Sequence, residues 1–239
     1  MTVAPFGCDR AVGLLPLSVV VAVIDIVKYN WVMSHWLTER CGLQPAPVGL
    51  AVVQDLLNTR KIGPAGVDLL DSVEAARTWL SDAVQAWASD TGRPARDSGW
   101  VDRLSERELT GLRTLRADVL WLLVGDPMVA GGERRTRQPG RIELQVSETG
   151  RLRLEPVGVG WHHLAGAIWL EVFMAQQNGD WTRLKLCRNP VCGSAFFDRS
   201  KNNSGVWHDV KVCGNAANLR ASRARKRLAA TAPAAPGHG

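Results

Sequence analysis

The chain has 239 residues, of which 46% are hydrophobic and 22% charged, and its net charge is +6. This composition is typical of a globular protein and excludes a chain that is disordered throughout. Five cysteines, an odd number, are too few for the disulfide framework of a secreted protein. Residues 183–227 carry eleven Lys or Arg and two Asp, a charge of +9, which leaves −3 for the remainder. An anionic partner is therefore expected to bind near the C-terminus.

Residues 1–45 form an N-terminal extension of uncertain assignment. Its main feature is an apolar run at 11–27, which Pro16 and Asp25 interrupt. The run is shorter than the ~20 residues that cross a bilayer, and no small-residue cleavage site follows it. We expect a buried strand or helix and no membrane partner. A translation start at Met33 is the alternative.

The first part of the body, from residue 46, predicts one short apolar element and one long helix. The apolar element spans 46–62 and ends in a polar turn at Asn58-Thr59-Arg60. The helix opens at Asp71, Ser72 and Glu74, where a side-chain oxygen can cap free amides and acidic residues suit the helix dipole. Apolar residues at helical spacing carry it to about Ala88.

The second part of the body predicts two further helices and a β-hairpin. Ser105 and Glu108 have the spacing of a capping box, so a helix is expected to begin there and to end at Gly125. Apolar and polar residues alternate on both sides of 148–150, which predicts a hairpin. Helical spacing returns at 161–177. The fold class is therefore α+β, a mainly helical body at 46–180 with a small antiparallel sheet.

The sequence contains none of the common catalytic signatures. It has no glycine-rich phosphate loop, no nucleophile elbow and no H-E-x-x-H zinc motif. His162 and His163 are adjacent and point about 100° apart on a helix, so they are not expected to share a metal. We therefore do not expect an enzyme.

Three of the five cysteines lie within 27 residues. Cys187 and Cys192 form C-x4-C, His208 and Cys213 form H-x4-C, and fifteen residues separate the two pairs. Two such pairs on tight turns can close a tetrahedral zinc shell. A shell of four protein ligands has no position for water, so one structural zinc ion is expected. Unrelated buried thiols and a redox pair are the alternatives.

The residues around these ligands resemble the CGNR zinc finger of bacterial regulators. The resemblance rests on the C-x4-C pair, FFDRSKNNSGVW at 196–207, the ligand after Trp207, CGN at 213–215 and the basic segment that follows. In that family the finger follows an α+β region called the ABATE domain, which DLLNTR at 55–60 and the helix at 72–88 also resemble. The resemblance implies an ABATE-like domain at 46–180, a finger with a basic helix at 181–228, and a role in stress response.

Several positions depart from the family pattern. His208 stands where the family has cysteine, so the shell would be Cys3His, which still suits zinc. Ala216 replaces the arginine of the motif, and Gly205 and Val206 stand where basic residues are usual. The finger therefore has fewer cations than the resemblance implies for contact with nucleic acid.

Beyond Cys213, Asn215 is expected to cap a helix that runs to about Leu228, and 229–239 to be a disordered tail. Arg220, Arg223 and Arg227 follow at i, i+3 and i+7, which places them on one stripe of that helix. Guanidinium groups in such a stripe suit the phosphates of a duplex. A solvated basic helix without a partner is the alternative.

We therefore expect a zinc-dependent, DNA-binding transcriptional regulator of the cytoplasm, associated with the nucleoid, whose body senses a small-molecule effector or mediates homodimerisation. The expected contacts with double-stranded DNA are basic side chains of the finger and its helix: Arg199, Lys201, Lys211, Arg220, Arg223, Arg225, Lys226 and Arg227. The alternative is a zinc-stapled module for protein interaction or ligand sensing that does not bind DNA.

Overall fold

The computed structural model describes residues 36–64, 66–93, 98–125 and 140–231. The predictions for residues 1–35 and for the tail beyond Thr231 lie outside these ranges. The helices are α1 (Leu37–Arg40), α2 (Leu50–Asn58), α3 (Val73–Thr91), α4 (Glu106–Val124), α5 (Trp161–Asn178) and α6 (Asn215–Thr231). The strands are β1 (Arg141–Val146), β2 (Leu152–Val157), β3 (Leu184–Leu186) and β4 (Ala195–Phe197). Below, residues 36–183 are called the body and residues 184–214 the finger.

The long helices begin and end where their terminal residues favour it. Ser72 accepts a hydrogen bond from the Ala75 amide at the start of α3, and Ser105 and Glu108 form the predicted capping box of α4. Gly92 and Gly125 end the two helices in the left-handed conformation that favours glycine. These caps confirm the predicted helix starts, although α3 extends a few residues beyond the predicted end.

The core of the body lies between α2, α3, α4 and α5. Their fully buried side chains include Leu56, Trp79, Leu112 and Ile168. The predicted hairpin is present, with β1 antiparallel to β2 and Leu144 opposite Leu154. A second antiparallel pair, β3 with β4, belongs to the finger. The observed fold is therefore the predicted α+β class, mainly helical with two small sheets.

The helix α2 differs from the sequence prediction because its polar residues are buried. The predicted turn at 58–60 is present, since α2 ends at Asn58, but Asn58 and Thr59 do not face solvent and are 2% and 0% exposed. Asp55, also fully buried, accepts hydrogen bonds from the Thr38 amide at 2.7 Å and from Trp79 Nε1 at 2.8 Å. Burial raises the pKa of this carboxyl, and the hydrogen bonds only partly oppose the effect. Residues from Trp36 onward therefore belong to the body.

The adjacent histidines of α5 have different surroundings, as predicted. His162 is exposed, whereas His163 is half-buried and meets Trp87 edge-on, with 6.2 Å between ring centroids. None of the described helices has the length and hydropathy needed to cross a bilayer.

Candidate metal centre and basic helix

Cys187, Cys192, His208 and Cys213 converge in the finger, as their spacing predicts. Their ligand atoms all lie within 4.8 Å of one another. His208 Nδ1 is 3.3 Å from Cys192 Sγ and 3.5 Å from Cys213 Sγ. Two ligand atoms of one tetrahedral zinc shell lie about 3.5 Å apart, since each is about 2.0–2.3 Å from the ion. The cluster therefore fits a metal ion of this size and ligand preference.

The first ligand pair is held by a turn after β3. The Cys187 amide donates to the Ser194 carbonyl at 2.8 Å, which aligns the two ends of the turn. Asn189 shapes the turn, because its carbonyl accepts from the Cys192 amide and its side-chain Oδ1 accepts from the Val191 amide. Gly193, with φ +67°, completes the turn in a conformation that favours glycine.

The second ligand pair lies just before and within one wide helical turn at 210–214, which carries Cys213 and follows His208 and Asp209. The Cys213 and Gly214 amides both donate to the Asp209 carbonyl, at 2.9 and 3.3 Å, so the turn is wider than an α-helix. Asp209 Oδ1 accepts from the Val212 amide at 3.0 Å and caps this turn. We predicted Asn215 as the cap, but Asn215 is already the first residue of α6 and Asp209 performs that role.

Two further polar side chains contact the ligands. Asn189 Nδ2 donates to Cys213 Sγ at 3.1 Å, and Ser194 Oγ lies 3.1 Å from Cys192 Sγ and 3.3 Å from His208 Nδ1. Groups of this kind orient the ligands of a metal site and tune them. These two contacts were not predicted from the sequence, because neither residue type is a ligand.

The thiols affect the ionisation of one another. The hydrogen bond with Cys187 and burial raise the pKa of Cys192 to about 11, whereas the same bond lowers the pKa of Cys187. Burial raises the pKa of Cys213. Because thiol ligands must be deprotonated, a bound cation has to displace these protons, and its affinity falls as the pH falls.

The finger is attached to the body by hydrogen bonds from α2 and the residues after it. Asn58 donates to the Ala195 carbonyl at 3.0 Å and accepts from the Ala195 amide at 2.8 Å. Gln54 Nε2 donates to the same carbonyl at 3.1 Å, and Arg60 Nη2 to the Gly193 carbonyl at 2.9 Å. The turn that carries Cys192 is thus bonded directly to the body.

Arg220 and Arg199, both predicted to contact DNA, are bonded to other parts of the protein. Arg220 Nη2 donates to Asn189 Oδ1, the residue that contacts Cys213, so the basic helix is linked to the metal centre. Arg199 donates to the Pro45 carbonyl at 2.7 Å, and its guanidinium carbon lies 5.5 Å from the Phe197 ring centroid. These bonds indicate that both arginines help to hold the finger in place.

The other predicted basic residues are exposed. They are Lys201, Lys211, Arg223, Arg225, Lys226 and Arg227. At about 100° per residue, Arg223 and Arg225 point to opposite faces of α6. The helix backbone extends to Thr231, beyond the predicted end at Leu228.

The comparisons with known proteins concern this C-terminal region. No curated protein matches the chain significantly. Residues 183–226, fewer than one fifth of the chain, match the family model of the CGNR zinc finger.

Proposed function

We propose that the finger binds one structural zinc ion. The observation that supports this is the convergence of three thiols and one imidazole inside a segment that matches a zinc-finger family. Zinc prefers sulfur and imidazole ligands and, with four of them, supplies folding free energy instead of an open site for catalysis. The role we propose for the protein is therefore not enzymatic.

The zinc proposal is tested by metal content. Purified wild-type protein should contain about one zinc ion per chain, measured by inductively coupled plasma mass spectrometry. His208→Ala should lower the zinc content, while the matched change His162→Ala, at an exposed histidine of the body, should not. Equal zinc content in the two variants would contradict the assignment of His208.

We further propose that the protein is a DNA-binding transcriptional regulator that acts on the nucleoid. The supporting observation is the exposed basic face of α6 directly after the metal-ligand turn, with Arg220 bonded to the ligand-contacting Asn189. A metal-fixed turn orients the first residues of α6, so its cations are presented in a defined geometry. Lysine and arginine side chains on such a helix bind phosphates and release counterions. The body would sense an effector or pair two copies.

Salt dependence tests this proposal. With four phosphate contacts, affinity for random duplex DNA should fall about 100-fold between 50 and 200 mM salt. Arg223→Ala should weaken binding several-fold more than Arg225→Ala, since the two arginines carry the same charge on opposite faces of one helix. Equal losses would mean that α6 contributes only general positive potential.

The alternative is a zinc-stapled module for protein interaction or ligand sensing. The internal bonds of Arg199 and Arg220 favour this alternative, because neither cation is then fully available to phosphate. Ala216 and Gly205 remove two further cations from the finger. One zinc ion per chain without DNA binding at 50 mM salt would support this second function.

A further inference from the structure

A cavity of about 280 Å³ lies in the body beside the first turn of α2. Residues from three helices and two loops line the cavity, among them Val48, Leu50, Arg93, Glu171, Met174 and Asp180. Its walls are largely aliphatic and its ionic groups are few. This combination is typical of a site for a small ligand.

Glu171 of α5 forms the buried acidic group of this cavity. The residue is 9% exposed, and its Oε1 accepts a hydrogen bond from Trp87 Nε1 at 3.0 Å. Among the residues that the structure describes, no hydrogen bond reaches Oε2. Burial raises the pKa of this carboxyl, and the Trp87 hydrogen bond and the nearby Arg93 guanidinium only partly oppose the effect. A cation in the cavity would give Oε2 a direct partner, which Arg93 does not provide.

The backbone next to this carboxylate has a close contact at Gly49 and an unusual conformation at Val48. A Cβ on Gly49 would lie 2.1 Å from Glu171 Oε2, so the carboxylate packs directly against the Gly49 backbone. Its neighbour Val48 has φ +46° and is 63% exposed. A β-branched residue in this conformation is strained, and such strain clusters at ligand-binding sites.

The neighbouring groups indicate that the ligand is a cation and not an anion. The amides of Leu50, Ala51 and Val52 donate to the carbonyls three residues earlier, so the start of α2 does not offer them to an anion. Arg93 is engaged, because its Nη1 lies 2.9 Å from Glu155 Oε1 and donates to the Leu154 carbonyl. Asp180, half-buried, adds a second carboxylate to the lining. Negative charge therefore dominates in the cavity.

We propose that this cavity binds a short aliphatic amine, with its ammonium group on Glu171 Oε2 and its carbon chain against Val48, Leu50 and Met174. The volume corresponds to about nine water molecules, which suits a ligand of similarly few heavy atoms. The binding requires neither zinc nor DNA. It goes beyond the proposed regulatory function and assigns a ligand class to the body.

The test uses n-butylamine at pH 7, where the amine is protonated, with 1-butanol as the uncharged analogue. Binding is followed by the indole N–H resonance of Trp87, assigned with Trp87→Phe, because this proton is bonded to Glu171. The amine should shift the resonance saturably with Kd about 1 mM. The alcohol should give no saturable shift. Absence of saturation with the amine, or equal binding of the alcohol, would overturn the proposal.

Two variants test the site itself, and neither experiment contains DNA. Glu171→Gln keeps the shape and should weaken amine binding at least tenfold, whereas Glu148→Gln, the same change in the exposed hairpin turn, should have no effect. Met174→Lys, three residues from Glu171 on an exposed part of α5, should bring its own ammonium to the carboxylate and also abolish binding. Wild-type affinity in either site variant would overturn the proposal. A negative result here leaves the DNA-binding proposal untouched.

Discussion

The body and the finger are stabilised by different means. The body buries an apolar core formed by four helices, including the fully buried Trp79 and Leu112. The separate cluster in the finger contains only three buried residues, Cys187, Phe196 and Cys213, and two of these are metal ligands. A cluster of this size cannot offset the conformational entropy of its own turns. The finger therefore needs support beyond its own small core, which the body supplies and the proposed zinc ion would add, whereas the body depends on hydrophobic burial.

The pKa values of buried carboxyl groups are shifted in opposite directions in the two regions. Burial opposes the ionisation of Asp198 in the finger, but a Lys185 ammonium at 2.7 Å and the amides of Ser200 and Gly205 hold its pKa well below the ordinary value. In the body, Asp55 and Glu171 lack a bonded cation, and burial raises their pKa. The finger thus compensates its buried charge with a hydrogen-bonded cation, while the body compensates only partly, through indole and amide groups and, for Glu171, through an Arg93 guanidinium that is not bonded to it.

Removal of the metal should have the largest effect and should be confined to the finger. Metal binding supplies about 10 kcal/mol or more of folding free energy in zinc-finger peptides. After treatment with a strong chelator, hydrogen exchange should become fast in residues 184–214, while amides of α3 and α4 keep their protection. Protection retained in the finger would show that the bonds from α2 suffice without metal.

Truncation of the body core should have the next largest effect. Leu112→Ala deletes fully buried methyl groups and should lower the free energy of unfolding by about 3 kcal/mol. Urea denaturation followed by circular dichroism measures this loss, and metal content reports on the finger. An unchanged metal content with the expected loss of stability would support separate sources of stability. Loss of metal would show that the finger depends directly on this part of the core.

Loss of the Asn58 side chain, which connects the body to the finger, should have a smaller effect on stability, and this effect should extend to both regions. Asn58→Ala leaves the buried amide of Ala195 without its partner and should cost about 2 kcal/mol. Asn202→Ala, at an exposed asparagine of the finger, is the matched control. Urea denaturation together with chelator competition should show reduced stability and weaker metal retention only for the change at residue 58.

The smallest expected effect is a difference in pH dependence between two carboxylates. Asp198 has a lowered pKa, so its stabilisation is complete above its ordinary pKa and is lost only as the pH falls through the lower value. Asp198→Asn should therefore cost a constant amount between pH 5 and 8. Glu171 has a raised pKa, so the wild type should lose stability relative to Glu171→Gln as the pH rises through that value. Urea titrations at several pH values, with saturating zinc, measure the difference in free energy of unfolding between the wild type and each variant. The same dependence of this difference on pH for both variants would contradict the prediction.

The sequence predicted features that depend on local spacing. The helix starts at Ser72 and Ser105, the hairpin around Gly150 and the four ligands of the metal cluster all follow from residue types within a short segment. Each of these patterns is recognisable because its partners lie close together along the chain. The exception is the cap before α6, where Asn215 was predicted and Asp209 performs the role.

Features that depend on distant partners were missed. Asn58 was predicted as part of a polar turn and Gln54 carried no prediction, but both donate to the Ala195 carbonyl, more than 130 residues later. Arg220 was predicted as one of several phosphate contacts, but its guanidinium donates to Asn189, 31 residues earlier. Periodicity cannot distinguish a polar side chain that faces solvent from one that completes the hydrogen bonding of another segment.

The three bonds between Asn58, Gln54 and Ala195 also have an evolutionary consequence. Fingers that fold alone can be exchanged between proteins by recombination, because they bring their own stability with them. This finger would lose these bonds if it were moved, and the body left behind would keep the side-chain amides of Gln54 and Asn58 without their acceptor. Recombination that exchanges the finger is therefore expected to preserve stability only when the body is transferred with it.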